Sequence, residues 1–139
     1  MAISWLARAL ARAQVDTLTP GGTIEVGDIF IVTINGKSIS YSATGTTVAS
    51  VCTGLHALLA ASTIPEFVEI TWTDSTTHIT ATSATAGVPF TITVSTTESN
   101  GGAADAQTFV QATTTAATGP NHWNDANNWS GGATPTNED

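Results

Sequence analysis

The dipeptide Asn35–Gly36 constrains this chain more than any other feature. It sits inside DIFIVTINGKSISYSA, residues 28–43, between two runs whose apolar residues alternate. Phe30, Val32 and Ile34 share one face of a first strand, and Ile39, Tyr41 and Ala43 share one face of the next. A two-residue type I′ turn needs positive φ at both central positions, and Asn-Gly supplies that pair at least cost. Any fold open to this chain must therefore contain an antiparallel hairpin with Ser38, Ser40 and Ser42 on its second face.

Charge narrows the function classes. The chain has 139 residues, 41% of them apolar and only 10% charged, with a net charge of −8. An average soluble domain is roughly 25% charged. Threonine fills 27 positions, which points to β-structure with hydroxyl-covered faces. The cations are Arg8, Arg12 and Lys37, and none follows Lys37. No basic face can be assembled for nucleic acid, and an anionic membrane surface is excluded on the same ground. A single cysteine, Cys52, offers no internal disulfide and leaves the redox compartment open. No run reaches the ~18 apolar residues of a spanning helix. In the start, MAISWLARALARAQ, Arg8 and Arg12 break the apolar run that a secretory signal needs; the segment matches an organellar transit peptide in outline, but it is read as mature protein.

Over residues 3–13, Ile3, Leu6, Leu10 and Ala13 fall at helical spacing, and a short helix is expected there. Two readings follow: a first helix on the domain's own core, or an arm that buries Trp5 and Leu6 against a partner. Gly21–Gly22 after Pro20 is expected to punctuate the chain. A helix over about 46–61 starts at Thr46 or Thr47, and Val48, Val51, Cys52, Leu55, Leu58 and Leu59 form its apolar stripe. It is expected to lie across the hairpin and bury Cys52. Strands are expected over 67–72, 78–83, 88–95 and 107–113, with a polar loop over 98–105. The fold class is α+β, mainly β: an antiparallel sheet or small sandwich with one packed helix, an N-terminal arm and an irregular C-terminal tail. The expected organisation is an arm over 1–14, a β-rich domain over 15–115, and a linker with a Trp-bearing tail over 116–139.

No catalytic set is legible. His56, His78 and His122 lack metal-ligand spacing, and there is no G-x-S-x-G or phosphate loop. Catalytic residues, cofactors and metals are all expected to be none. Asn124, Asp125, Asn127 and Asn128 could supply oxygen ligands to calcium but lack the known loop spacing, so they are read as turn formers. Asn128–Trp129–Ser130 matches the glycosylation sequon. Trp123 and Trp129, with Trp72, could stack on sugars, but the two tail tryptophans are read first as packing anchors.

The VTINGKSISYSA hairpin, the TTVASVCTGL helix start and the AGVPFTI strand carry a resemblance. Over about residues 14–115 the chain resembles a β-hairpin–helix–strand module of tailed-bacteriophage structural proteins and related phage-derived bacterial surface proteins. GPNHWNDANNWSGGATPTNED resembles the entry segment of a longer β-rich region in such proteins. The resemblance implies a structural virion component of capsid-decoration, neck, tail or fibre-base type, located in the virion and assembling as a symmetric oligomer. Its partners would be copies of itself and other virion proteins. The residues expected to make assembly contacts are Trp5, Leu6, Arg8, Leu10 and Arg12 in the arm and Trp123 and Trp129 in the tail. Arg8 and Arg12 would meet the acidic body of a neighbour. The alternatives are a carbohydrate-binding or adhesion module and a self-assembling bacterial surface filament.

Overall fold

The computed structural model describes residues 2–98 and 106–136. The expected polar loop over 98–105 lies, apart from Glu98, outside them. The hairpin forms as its sequence requires. β2 (Ile29–Ile34) and β3 (Lys37–Ser42) pair antiparallel with Ile34 opposite Lys37, and Asn35 and Gly36 take φ of 50° and 75°. Phe30, Val32 and Ile34 are buried on one face, while Ser38, Ser40 and Ser42 are exposed.

The molecule is mainly β, with two antiparallel sheets. The first has the strand order β4 (Ile70–Asp74), β5 (Ile79–Ser83), β1 (Val15–Gly22), β7 (Gln107–Thr115). The second runs β3, β2, β6 (Ile92–Thr97). β6 and β7 lie side by side where the sheets meet. At the opposite side, α1 (Val48–Ala60) packs on both β3 and β4. The result is an incomplete barrel whose gap is filled by a helix. Val51, Cys52, Leu55 and Leu59 of α1 join Leu18, Phe30, Val32, Phe67, Ile79 and Ile92 in one core.

α1 starts at Thr47, the second of the two candidate caps. Thr47 Oγ1 accepts from Ser50 N at 3.1 Å, and Ser50 Oγ accepts from Thr47 N at 3.4 Å. Glycine at residue 54 lets the helix seat against β3 with the Tyr41 ring in place: a Cβ there would run into that ring unless it moved. Tyr41 is held in turn by Thr44, whose Oγ1 lies 3.1 Å from the Tyr41 hydroxyl. Burial pushes the Cys52 thiol up from its ordinary value near 9 to about 11, with Asp74 adding to the effect.

Four expectations are corrected. Residues 3–13 are not helical; they form an irregular segment in which Ala7 takes a φ of 52°, with isolated bridges from Trp5 to Trp129 and from Arg12 to Thr118. A capless helix of this length is marginal in water, and a partner strand satisfies the same backbone groups. Pro20–Gly22 is no break but the end of β1, a strand that the turn residues concealed. β5 pairs with β1 over Val15 to Leu18 and no further, so Pro20 interrupts no ladder bond on that side, and Gly22 (φ 70°) leaves room for the Ala106 carbonyl. In 67–72, Pro65 starts a single helical turn, α2 (Pro65–Val68), and the strand begins only at Ile70. In 88–95, the strand begins at Ile92; the Phe90 backbone bonds instead to the side chain of Gln14.

Gly54→Ala tests the helix seat. At an unobstructed helix position the change would add about 0.5–1 kcal/mol of stability. Here we expect a loss of about 1–2 kcal/mol in urea unfolding. The same substitution in a Tyr41→Ala background should become neutral or stabilising. Cys52 supplies a pH test. Its folded pKa lies above the unfolded one, so stability should fall as pH rises from about 9 to 11 in the wild type and not in Cys52→Ala.

Candidate functional site

The residues expected to make contacts with partners converge at one end of the molecule, where the arm and the tail pair with each other. The pairing continues the β1/β7 ladder outward. Val15 faces Thr115, and Arg12 faces Thr118, three residues further on along each chain. Arg12 N donates to Thr118 O at 2.9 Å, Thr118 N donates back to Arg12 O at 3.3 Å, and Thr118 Oγ1 reaches Leu10 O at 2.9 Å. Beyond Thr118 the tail leaves the register through turns and a 3-10 turn at Ala126–Asn128, then returns at Trp129 opposite Trp5. Ser130 N donates to Ser4 O at 2.9 Å, and Ser4 N donates to Ser130 Oγ at 3.0 Å.

Asn128 holds this clasp together. Its side chain is fully buried. Oδ1 accepts from Ala9 N at 2.8 Å, while Nδ2 donates to Gly119 O at 2.8 Å and His122 O at 2.9 Å. Its own carbonyl accepts from Leu6 N at 2.6 Å. One amide thus satisfies backbone groups from both segments. The bond to Ala9 spans 119 residues, and no local pattern signals it. The sequon asparagine is consequently a structural side chain with its amide nitrogen engaged.

Above Asn128 the tryptophans form a cluster. Trp5 stacks on Trp123 with centroids 6.2 Å apart, and Trp129 meets both edge-on at 5.0 and 4.4 Å. Trp129 is buried, with its Nε1 donating to Trp123 O at 2.9 Å. Trp129 is therefore an anchor inside the chain and not a contact offered to a neighbour. Trp72 is likewise buried, its Nε1 donating to Phe67 O, so the expected sugar-stacking set loses two of its three rings. Leu6 is half-buried in the clasp. Leu10 and Trp123 point outward at 87% and 65% exposure, and Trp5 is 40% exposed.

Arg8 and Arg12 are exposed on the same clasp. With Leu10, Thr118, Asp125 and Asn127 they line an open groove of about 730 Å³. The ion pair among the described residues belongs to Lys37 and Glu66, 2.9 Å apart, and the Lys37 ammonium holds the Glu66 carboxyl below its usual range. The arginines have no such partner among the described residues. Asp125 is occupied locally, its Oδ1 accepting from Asn127 N and Nδ2 at 3.0 Å each, as the turn reading of this segment requires.

The histidines have separate structural environments. His56 Nε2 lies 3.2 Å from Trp72 O, His78 Nδ1 lies 3.1 Å from Thr77 Oγ1, and His122 Nε2 lies 2.7 Å from Gly87 O. The last contact ties the tail to the loop before β6. Comparison with protein-family models, curated proteins and solved structures gives no match.

Replacing Asn128 by alanine strands one backbone donor and two acceptors, so a destabilisation of about 2–4 kcal/mol is expected. Tryptophan emission should shift to the red as the cluster opens. Emission and stability equal to wild type would show that the clasp closes without this amide.

Proposed function

We propose that this chain is a non-enzymatic structural subunit of a tailed-bacteriophage virion, assembling with copies of itself as a symmetric oligomer through the clasp. One juxtaposition carries the reading: Leu10, a large apolar side chain turned to solvent, lines one groove with two arginines that lack ion partners among the described residues, and Trp123 is exposed on the same clasp. Exposed aromatic and arginine side chains are the usual energetic centre of a protein interface. Elsewhere the chain carries one cation against ten carboxylates, so an acidic surface on a neighbouring copy is the complementary partner. The virion setting is supported by the resemblance of the hairpin–helix–strand module alone.

The clasp changes how this assembly is drawn. The two ends hold each other first, and only the outward side of the paired unit remains for a neighbour. A rigid patch of that kind loses less conformational freedom on binding than two loose tails would.

Light scattering after size exclusion should show an oligomer. Leu10→Asp combined with Trp123→Ala should shift it towards monomer by at least about tenfold in dissociation constant, a loss typical of an interface centre. Arg8→Glu with Arg12→Glu should weaken it in a salt-dependent way. A wild-type chain that is monomeric at all concentrations, or an oligomer indifferent to both pairs of substitutions, would refute the reading.

A further inference from the structure

A second grouping of charged residues lies apart from the clasp. Glu25 and Asp28 belong to the connection between β1 and β2, and Glu98 follows directly on β6. β2 and β6 pair antiparallel with Ile29 opposite Thr97, so the next step outward brings Asp28 opposite Glu98. Glu25 is drawn in by backbone bonds: Asp28 N donates to Glu25 O at 3.2 Å, and Glu25 N donates to Asp28 Oδ2 at 2.8 Å. One carboxylate oxygen from each of the three residues can be chosen so that all lie within 4.8 Å of one another. Like charges placed opposite each other on paired strands repel, and here a third joins them.

Burial makes this arrangement costly. Asp28 is 0% exposed, and its Oδ1 has no hydrogen-bond partner among the described residues. Its backbone is pinned, since Ala43 N donates to Asp28 O at 2.7 Å and Gly27 N donates to Ala43 O at 2.8 Å. Swinging the carboxylate out to water would break the bond that Glu25 N donates to Oδ2. An acceptor held in this way beside two further acids is a ligand atom without its cation.

We propose that Glu25, Asp28 and Glu98 bind a divalent cation of the calcium type. The donors are all hard oxygens, with neither histidine nor cysteine among them, which selects against zinc and the softer transition metals. Calcium accepts carboxylates at about 2.3–2.6 Å in irregular geometry, so ligand oxygens on opposite sides of the ion stand up to about 5 Å apart. Magnesium demands a tighter, near-octahedral set. The ion would join the β1–β2 connection to the end of β6 and replace mutual repulsion by shared attraction.

The test uses the full chain, stripped with EDTA and titrated with CaCl2 by calorimetry and by thermal unfolding. Saturable binding with a Kd of about 0.1–1 mM is expected, as for sites built from few ligands. Tm should rise with calcium concentration. Asp28→Asn should abolish the rise while leaving the calcium-free chain at least as stable as wild type. Glu25→Gln, at a partly exposed position, should weaken binding by at least about tenfold, and it decides the matter if Asp28→Asn does not fold. No binding and no Tm change up to about 10 mM calcium, or a response that both variants keep, would overturn the site. Equal responses to MgCl2 and CaCl2 would overturn the choice of calcium.

Discussion

The fold depends on α1 filling the gap between β3 and β4. Two sheets that meet along β6 and β7 would otherwise leave β3 and β4 as free edges with an open core between them. α1 removes both problems at once, placing Val51, Cys52, Leu55 and Leu59 in the opening. The fit is set by one close approach, Gly54 against the Tyr41 ring. The hairpin strand that carries Tyr41 is in turn held in register by Asn35–Gly36. A local turn choice thus reaches the far side of the core through a chain of contacts.

A charge-poor chain also needs another way to satisfy buried polar groups. Amide side chains take that role here. Asp16 is buried in β1, yet its two oxygens accept from Gln14 at 3.0 Å and Gln111 at 2.7 Å. Gln14 extends the same network to both backbone groups of Phe90. Asn128 does the equivalent at the clasp. These bonds are directional and insensitive to salt, which suits a molecule with few cations to form ion pairs.

Features with a local physical cause were legible in the sequence. The hairpin, α1 with its cap at Thr47, and the strand from Gln107 each follow from alternation, helical spacing or turn chemistry within a short window. Features caused by distant partners were not. β1 contains Pro20, Gly21 and Gly22, residues that argue against a strand until the positions of β5 and β7 are known. The arm has helical spacing, but the tail supplies the pairing that takes the place of a helix there. Trp123 and Trp129 were recognisable as anchors, whereas their docking on Trp5 was not. Glu25, Asp28 and Glu98 are separated by up to 73 positions in the chain, and only the β2/β6 register brings them together.

Because the clasp follows β1 and β7 in their own antiparallel sense, through Arg12 with Thr118 and then Trp5 with Trp129, the outer ends of the arm and the tail are brought together. Tension between those ends would load the clasp's cross-links one after another, starting at Trp5 and Trp129, and never all together in shear. The outer pairs would part first, lengthening the molecule while the helix-filled barrel stayed intact, and they could close again when the load was released. Anchored at both ends, such a subunit would yield elastically at its rim before its core was strained.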